Sequence, residues 1–131
     1  MKKTFKNEGD VKSAVKEILK SYGAWYFMPV TYGYGKSGVP DFCCVFEGNS
    51  IFIETKFGSN KPTALQKAEM ERLYDSGAFV FVINENLISV VDDLLLALHM
   101  GSKETARYNS VINLKNFGMF KDVKEINRVT S

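Results

Sequence analysis

The chain has 131 residues, 45% of them hydrophobic and 13% aromatic, which suits one globular domain with a true core and excludes a disordered protein. With 17 basic and 15 acidic side chains the formal net charge is +2, which permits a nucleic-acid partner without demanding one, because the clustering of cations matters more than their sum. No apolar run approaches the roughly 18 to 20 residues of a membrane span, and no apolar segment follows the basic start Met1-Lys2-Lys3, so neither a membrane protein nor a secretory leader is expected.

From Glu8 to Tyr22 the pattern is that of an amphipathic helix. Val11, Ala14, Val15, Ile18 and Leu19 fall on one face, while Lys12, Lys16, Glu17 and Lys20 take the solvent face. Gly23 is the expected stop. Ala24 to Val30 is short and aromatic and predicts a first strand. The stretch Thr31 to Pro40 carries three glycines and a proline and reads as a loop.

Two strand-like runs follow, Asp41 to Glu47 and Ile51 to Lys56, on either side of a turn expected at Gly48-Asn49-Ser50. The cysteines, Cys43 and Cys44, are neighbours on one strand and so point to opposite faces. They are expected as packed thiols in a reducing compartment, the cytoplasm, rather than as a disulfide or a zinc ligand set.

Thr63 opens a second helix, and Gln66 three residues on completes a capping box. Ser76-Gly77 ends it. Ala78 to Ile83 is a continuous apolar run, as expected of a strand buried on both faces. Leu87 to Met100 predicts a further helix, and residues 101–131 give no clear pattern. The order α-β-β-β-α-β, with a helix between the third and fourth strands, implies a crossover, some parallel pairing and a mixed α/β sandwich.

The chemistry concentrates on the hairpin. Glu54 and Lys56, separated by Thr55 alone, project from the same face of their strand, and the antiparallel partner brings Asp41 close to Glu54. Two carboxylates side by side repel unless a cation lies between them. A divalent ion with oxygen ligands answers that need, and the set suits phosphodiester hydrolysis. A lone Glu-x-Lys at a strand end is usually solvated; the signal lies in the whole string of glycine loop, Pro-Asp, hairpin, Glu-x-Lys and capped helix.

That string resembles the PD-(D/E)XK nuclease superfamily, and within it the virus-type replication-repair nuclease (VRR-NUC) domain. The residues that carry the likeness are Gly38-Val39-Pro40-Asp41, Ile53-Glu54-Thr55-Lys56, Pro62-Thr63-Ala64-Leu65-Gln66 and Leu73-x-x-x-Gly77-Ala78, together with Glu8-x-x-Val11-x-x-x-Val15 at the front. It covers about residues 8–83 and leaves 84–131 as a C-terminal helix and extension of the same domain. The resemblance implies a restriction-endonuclease-like αβββαβ core with a mixed central sheet flanked by helices, and a metal-dependent endonuclease acting on DNA. It further implies Asp41 and Glu54 as ligands of Mg²⁺ or Mn²⁺, with the Thr55 carbonyl as a further ligand and Lys56 as the catalytic lysine. Glu8 completes the site from the first helix, with Asp10 as the alternative acid, and Gln66 lies beside the site on the second. Standalone members resemble Holliday-junction resolvases and work as homodimers on branched DNA. The contrasting reading is an inactive DNA-binding module on the same fold.

Tyr32, Tyr34 and Lys36 in the glycine loop are candidates for stacking on a base and contacting phosphate, and Lys61 and Lys67 for steering DNA. His99, the only histidine, is expected at a helix C-terminus rather than in a catalytic role.

Overall fold

The computed structural model describes residues 4–30 and 38–121. Its first element, α1 (Glu8–Ser21), begins where Asn7 accepts the Asp10 N–H on its side chain at 2.9 Å, a cap that satisfies one of the orphan donors of a helix start. Val11, Ala14, Val15 and Leu19 form its buried stripe. A four-stranded sheet follows, made of β1 (Trp25–Phe27), β2 (Phe42–Phe46), β3 (Asn49–Thr55) and β4 (Phe79–Ile83), in spatial order β1-β2-β3-β4. The first two pairings are antiparallel and β3–β4 is parallel. The crossover that parallel pairing requires is α2 (Ala64–Asp75), and α3 (Ile88–His99) and α4 (Lys103–Asn116) complete the elements of the described residues.

Alternation along the strands builds two cores. Phe42, Cys44, Phe46, Ile51, Ile53, Phe79, Phe81 and Ile83 pack against α1 and α3 through Val11, Val15, Leu19, Val91, Leu94, Leu95 and Leu98. On the other face Val80 and Val82 meet Met70 of α2, Leu114 of α4 and Met119, with Phe52 packed alongside. This two-sided burial is why β4 reads as an unbroken apolar run. Among the described residues no helix is long and apolar enough to cross a membrane.

The hairpin turn differs from expectation by one step. Its central residues are Glu47 (φ 49°) and Gly48 (φ 81°), the two left-handed positions of a two-residue turn whose twist matches its strands. Asn49 therefore belongs to β3, where its buried amide donates to the carbonyls of Phe46 and Glu47 at 3.1 and 3.2 Å. The first strand is also shorter than expected, ending at Phe27.

Residues 103–116, for which the pattern gave no expectation, form α4, and polar side chains explain the silence. Ser110 Oγ accepts the Val80 N–H at 3.0 Å and donates to the Val80 carbonyl at 2.6 Å. Asn113 does the same for Val82, at 2.7 and 2.9 Å. Arg107 donates to the Ala78 and Tyr74 carbonyls at 3.0 and 2.7 Å and stacks 3.6 Å over the Tyr74 ring. The outer edge of β4, which would otherwise present unpaired backbone groups, is thus satisfied by a helix acting through its side chains.

Candidate active site

The register Phe42↔Ile53 places Asp41, just ahead of β2, opposite Glu54 near the end of β3. The chain reaches Asp41 through Gly38, whose φ of 85° suits glycine and whose missing Cβ would lie 2.6 Å from the Leu65 carbonyl oxygen of α2. This close approach seats the Pro40-Asp41 segment against the start of α2.

Thr55 then holds Asp41. Its N–H and its hydroxyl both donate to Asp41 Oδ2, at 2.9 and 2.5 Å, and with Thr55 fully buried the pair forms a rigid clamp. Oδ1 of Asp41 is left facing Lys12, whose Nζ lies 3.9 Å away.

Glu54 is only 3% exposed. Its Oε2 accepts from Gln66 Nε2 at 3.0 Å and faces Lys56 Nζ at 3.2 Å. Gln66 serves two masters: its Oε1 accepts the Thr63 N–H at 2.9 Å while the Thr63 hydroxyl accepts the Gln66 N–H, so the capping box is formed as expected and also aims the amide at Glu54. Burial, and next the neighbouring Asp41 carboxylate, push the Glu54 carboxyl up to about 7, against the downward pull of the Lys56 ammonium and the Asp41 backbone N–H. The other oxygen, Oε1, is buried without a hydrogen-bond partner. A buried lone acceptor of this kind costs about 1–3 kcal/mol, which makes it the most conspicuous electrostatic defect of the site.

The remaining candidates divide. Glu8 faces the site through Lys12, whose ammonium is 3.3 Å from Glu8 Oε2, whereas Asp10 accepts the Lys6 N–H at 2.8 Å and belongs to the helix cap. Lys61 is exposed ahead of α2, and Lys67 reaches toward Gly118 beyond α4. Tyr32, Tyr34 and Lys36 lie outside the described residues. His99 sits at the end of α3 with Nδ1 2.7 Å from Glu47 Oε2, away from the carboxylate pair. Both cysteines are free thiols, and burial, with the adjacent Cys43 adding to it, pushes Cys44 up to about 12.

Two contributors escaped the sequence reading. In sequence the Thr55 side chain is only a spacer between Glu54 and Lys56, and Lys12 falls on the solvent face of its helix. Glu8 and Lys12 stand four apart on one helix, a spacing visible in the sequence, but nothing local links that pair to Asp41.

Among the described residues no three His, Cys, Asp or Glu side chains converge as a metal cage. What lie side by side are the Asp41 and Glu54 carboxylates, close enough to repel one another, hard oxygen donors of the type that Mg²⁺ and Mn²⁺ accept alongside water and substrate oxygens. The donor set and the unpaired buried oxygen fit such an ion.

Neither the family models nor the curated proteins compared with the chain give a match, whereas four chains of solved structures do. One of these, described as "VRR_NUC domain", is 33% identical, with a TM-score of 0.56, over 67% of this chain and 92% of the other. This chain belongs to the VRR-NUC family. The VRR-NUC domain is a nuclease domain, and its mixed sheet with flanking helices is the restriction-endonuclease-like α/β fold. Within it, Asp41, Glu54, Thr55, Lys56 and Gln66 occupy one end of the sheet, where β3 delivers to α2.

Proposed function

We propose that this VRR-NUC domain is a metal-dependent endonuclease that hydrolyses DNA phosphodiester bonds and selects branched DNA, such as a four-way junction, working as a homodimer. The observation that carries the reading is the unpartnered, buried Oε1 of Glu54 beside Asp41. Asp41 and Glu54 would hold Mg²⁺ or Mn²⁺, with the Thr55 carbonyl and, further out, Glu8. The ion supplies positive charge to the scissile phosphate and lowers the pKa of water.

The protein does the rest by position. Thr55 fixes the Asp41 carboxylate so that Oδ1 points outward, and Gln66 fixes Glu54 from the other side. Lys56, 12% exposed and held at 3.2 Å from Glu54, carries a preorganised ammonium to where negative charge grows on the phosphate as water attacks. Lys61, exposed ahead of α2, is available to backbone phosphates. Homodimerisation is supported by the β1–β2 end of the sheet, where Trp25, Phe27 and Val45 stand 60%, 49% and 46% exposed on one face, neighbouring apolar side chains of the kind that mark a protein contact.

The test incubates purified protein with labelled four-way junction, flap, single-stranded and linear duplex DNA in Mg²⁺, Mn²⁺ or EDTA, beside Lys56→Ala. Cleavage that needs the metal and vanishes in the variant is expected, strongest on the junction. Binding of DNA without cleavage of any substrate would instead identify an inactive DNA-binding module. Light scattering of wild type and Phe27→Lys, the latter expected as monomer, checks the dimer.

A further inference from the structure

The Lys12 ammonium lies between two carboxylates that belong to different elements, Glu8 on α1 and Asp41 ahead of β2, at 3.3 and 3.9 Å. Among the described residues, Lys12 is the group that faces Asp41 Oδ1, since Thr55 takes Oδ2 twice. Lys12 is partly buried, with 31% of its side chain exposed, so its charge is less screened than that of a surface lysine. The far side of the carboxylate pair already has its own cation, Lys56 on Glu54. Among the described residues the carboxylate pair is thus flanked by two ammonium groups, Lys12 at Asp41 and Lys56 at Glu54, while Glu54 Oε1 is left without a hydrogen-bond partner.

We propose that Lys12 is the resident counter-ion of the metal-free site, a positioning residue that holds Glu8 and Asp41 in place and competes with the divalent cation for Asp41. The proposal rests on the metal reading given above and adds what sets the strength of binding. With Lys12 on Asp41 the carboxylates neither repel one another apart nor accept a stray cation cheaply. A divalent ion that takes Asp41 Oδ1 must do so against the Lys12 charge, or drive that flexible side chain out toward solvent. A unit charge facing a divalent ion at on the order of 5 Å in a water-like medium weakens binding by about tenfold.

Calorimetric titration of Mn²⁺ into EDTA-stripped wild type, Lys12→Met and Lys12→Arg tests this without any substrate. Lys12→Met keeps the length and apolar stem, removes the charge and is expected to bind Mn²⁺ about tenfold more tightly. Lys12→Arg keeps the charge and is expected to stay within about twofold of wild type. The gap between wild type and Lys12→Met is expected to narrow as KCl is raised toward 1 M. Lys12→Gln, shorter and polar, serves as a second neutral variant should Lys12→Met fail to fold. Equal or weaker Mn²⁺ binding by the neutral variants overturns the proposal while leaving the metal reading intact. Absence of Mn²⁺ binding in every protein overturns both.

Discussion

Replacing Thr55 by valine removes a hydroxyl and almost nothing else, because the two side chains share shape and strand preference. In the structure that hydroxyl donates to Asp41 Oδ2 at 2.5 Å from a fully buried position, and the Thr55 N–H donates to the same oxygen at 2.9 Å. A hydrogen bond to a charged acceptor contributes about 1.5–3 kcal/mol. Since Asp41 keeps the backbone donor and stays partly exposed, the lower half of that range applies, about 2 kcal/mol. For a domain of this size that lowers Tm by about 8 °C. Urea unfolding followed by circular dichroism gives the free energy, and Thr55→Ser, which keeps the hydroxyl, is the control. The serine variant is expected to retain DNA cleavage, and the valine variant to lose most of it because one backbone donor alone then orients Asp41. A valine variant within about 0.5 kcal/mol of wild type, or a serine variant less active than valine, would refute the clamp.

Three further outcomes are expected. In EDTA, Glu54 holds a proton that the unfolded chain has lost between pH 4.5 and about 7; its stability contribution is fully present below that window and falls by about 3 kcal/mol on passing through it. Glu54→Gln should therefore gain on wild type by roughly that amount between pH 4.5 and pH 8 in parallel urea titrations, and parallel curves would remove burial as the cause. Gly38→Ala places a Cβ 2.6 Å from the Leu65 carbonyl at a φ of 85° and should destabilise by about 2–4 kcal/mol, read as a loss in urea midpoint. Asn113→Leu strands the N–H and carbonyl of Val82 and should cost about 2–4 kcal/mol, with faster amide hydrogen exchange at Val82 as its local signature.

Periodicity made the scaffold legible. The apolar spacing of α1, the Thr63–Gln66 box and the unbroken run of β4 each arise from local physics, and each element formed where its pattern put it. The carboxylate pair was legible for the same reason, since alternation along β3 places Glu54 and Lys56 together and the hairpin supplies Asp41. What lay beyond reach is tertiary. The role of Thr55 depends on where Asp41 turns its carboxylate, and that of Lys12 on how α1 lies across the end of the sheet. The polar ladder of α4 gives no clear pattern in sequence, because Arg107, Ser110 and Asn113 point at backbone rather than at an apolar partner. The turn slipped by one residue because Asn49 looks like a turn residue and instead braces the turn from inside the strand.

That ladder has a consequence for how the sheet could be extended. One flank of the sheet is sealed by Arg107, Ser110 and Asn113, and the strand at the other flank, β1, has only β2 as a neighbour among the described residues. Among the described residues, the β1 flank is the one left for strand addition. Two copies joined edge to edge through β1 about a twofold axis would use both β1 flanks at once and leave the sealed ones outward. Growth by that route would terminate at a pair, so a strand-paired dimer of this kind would not extend into a fibre.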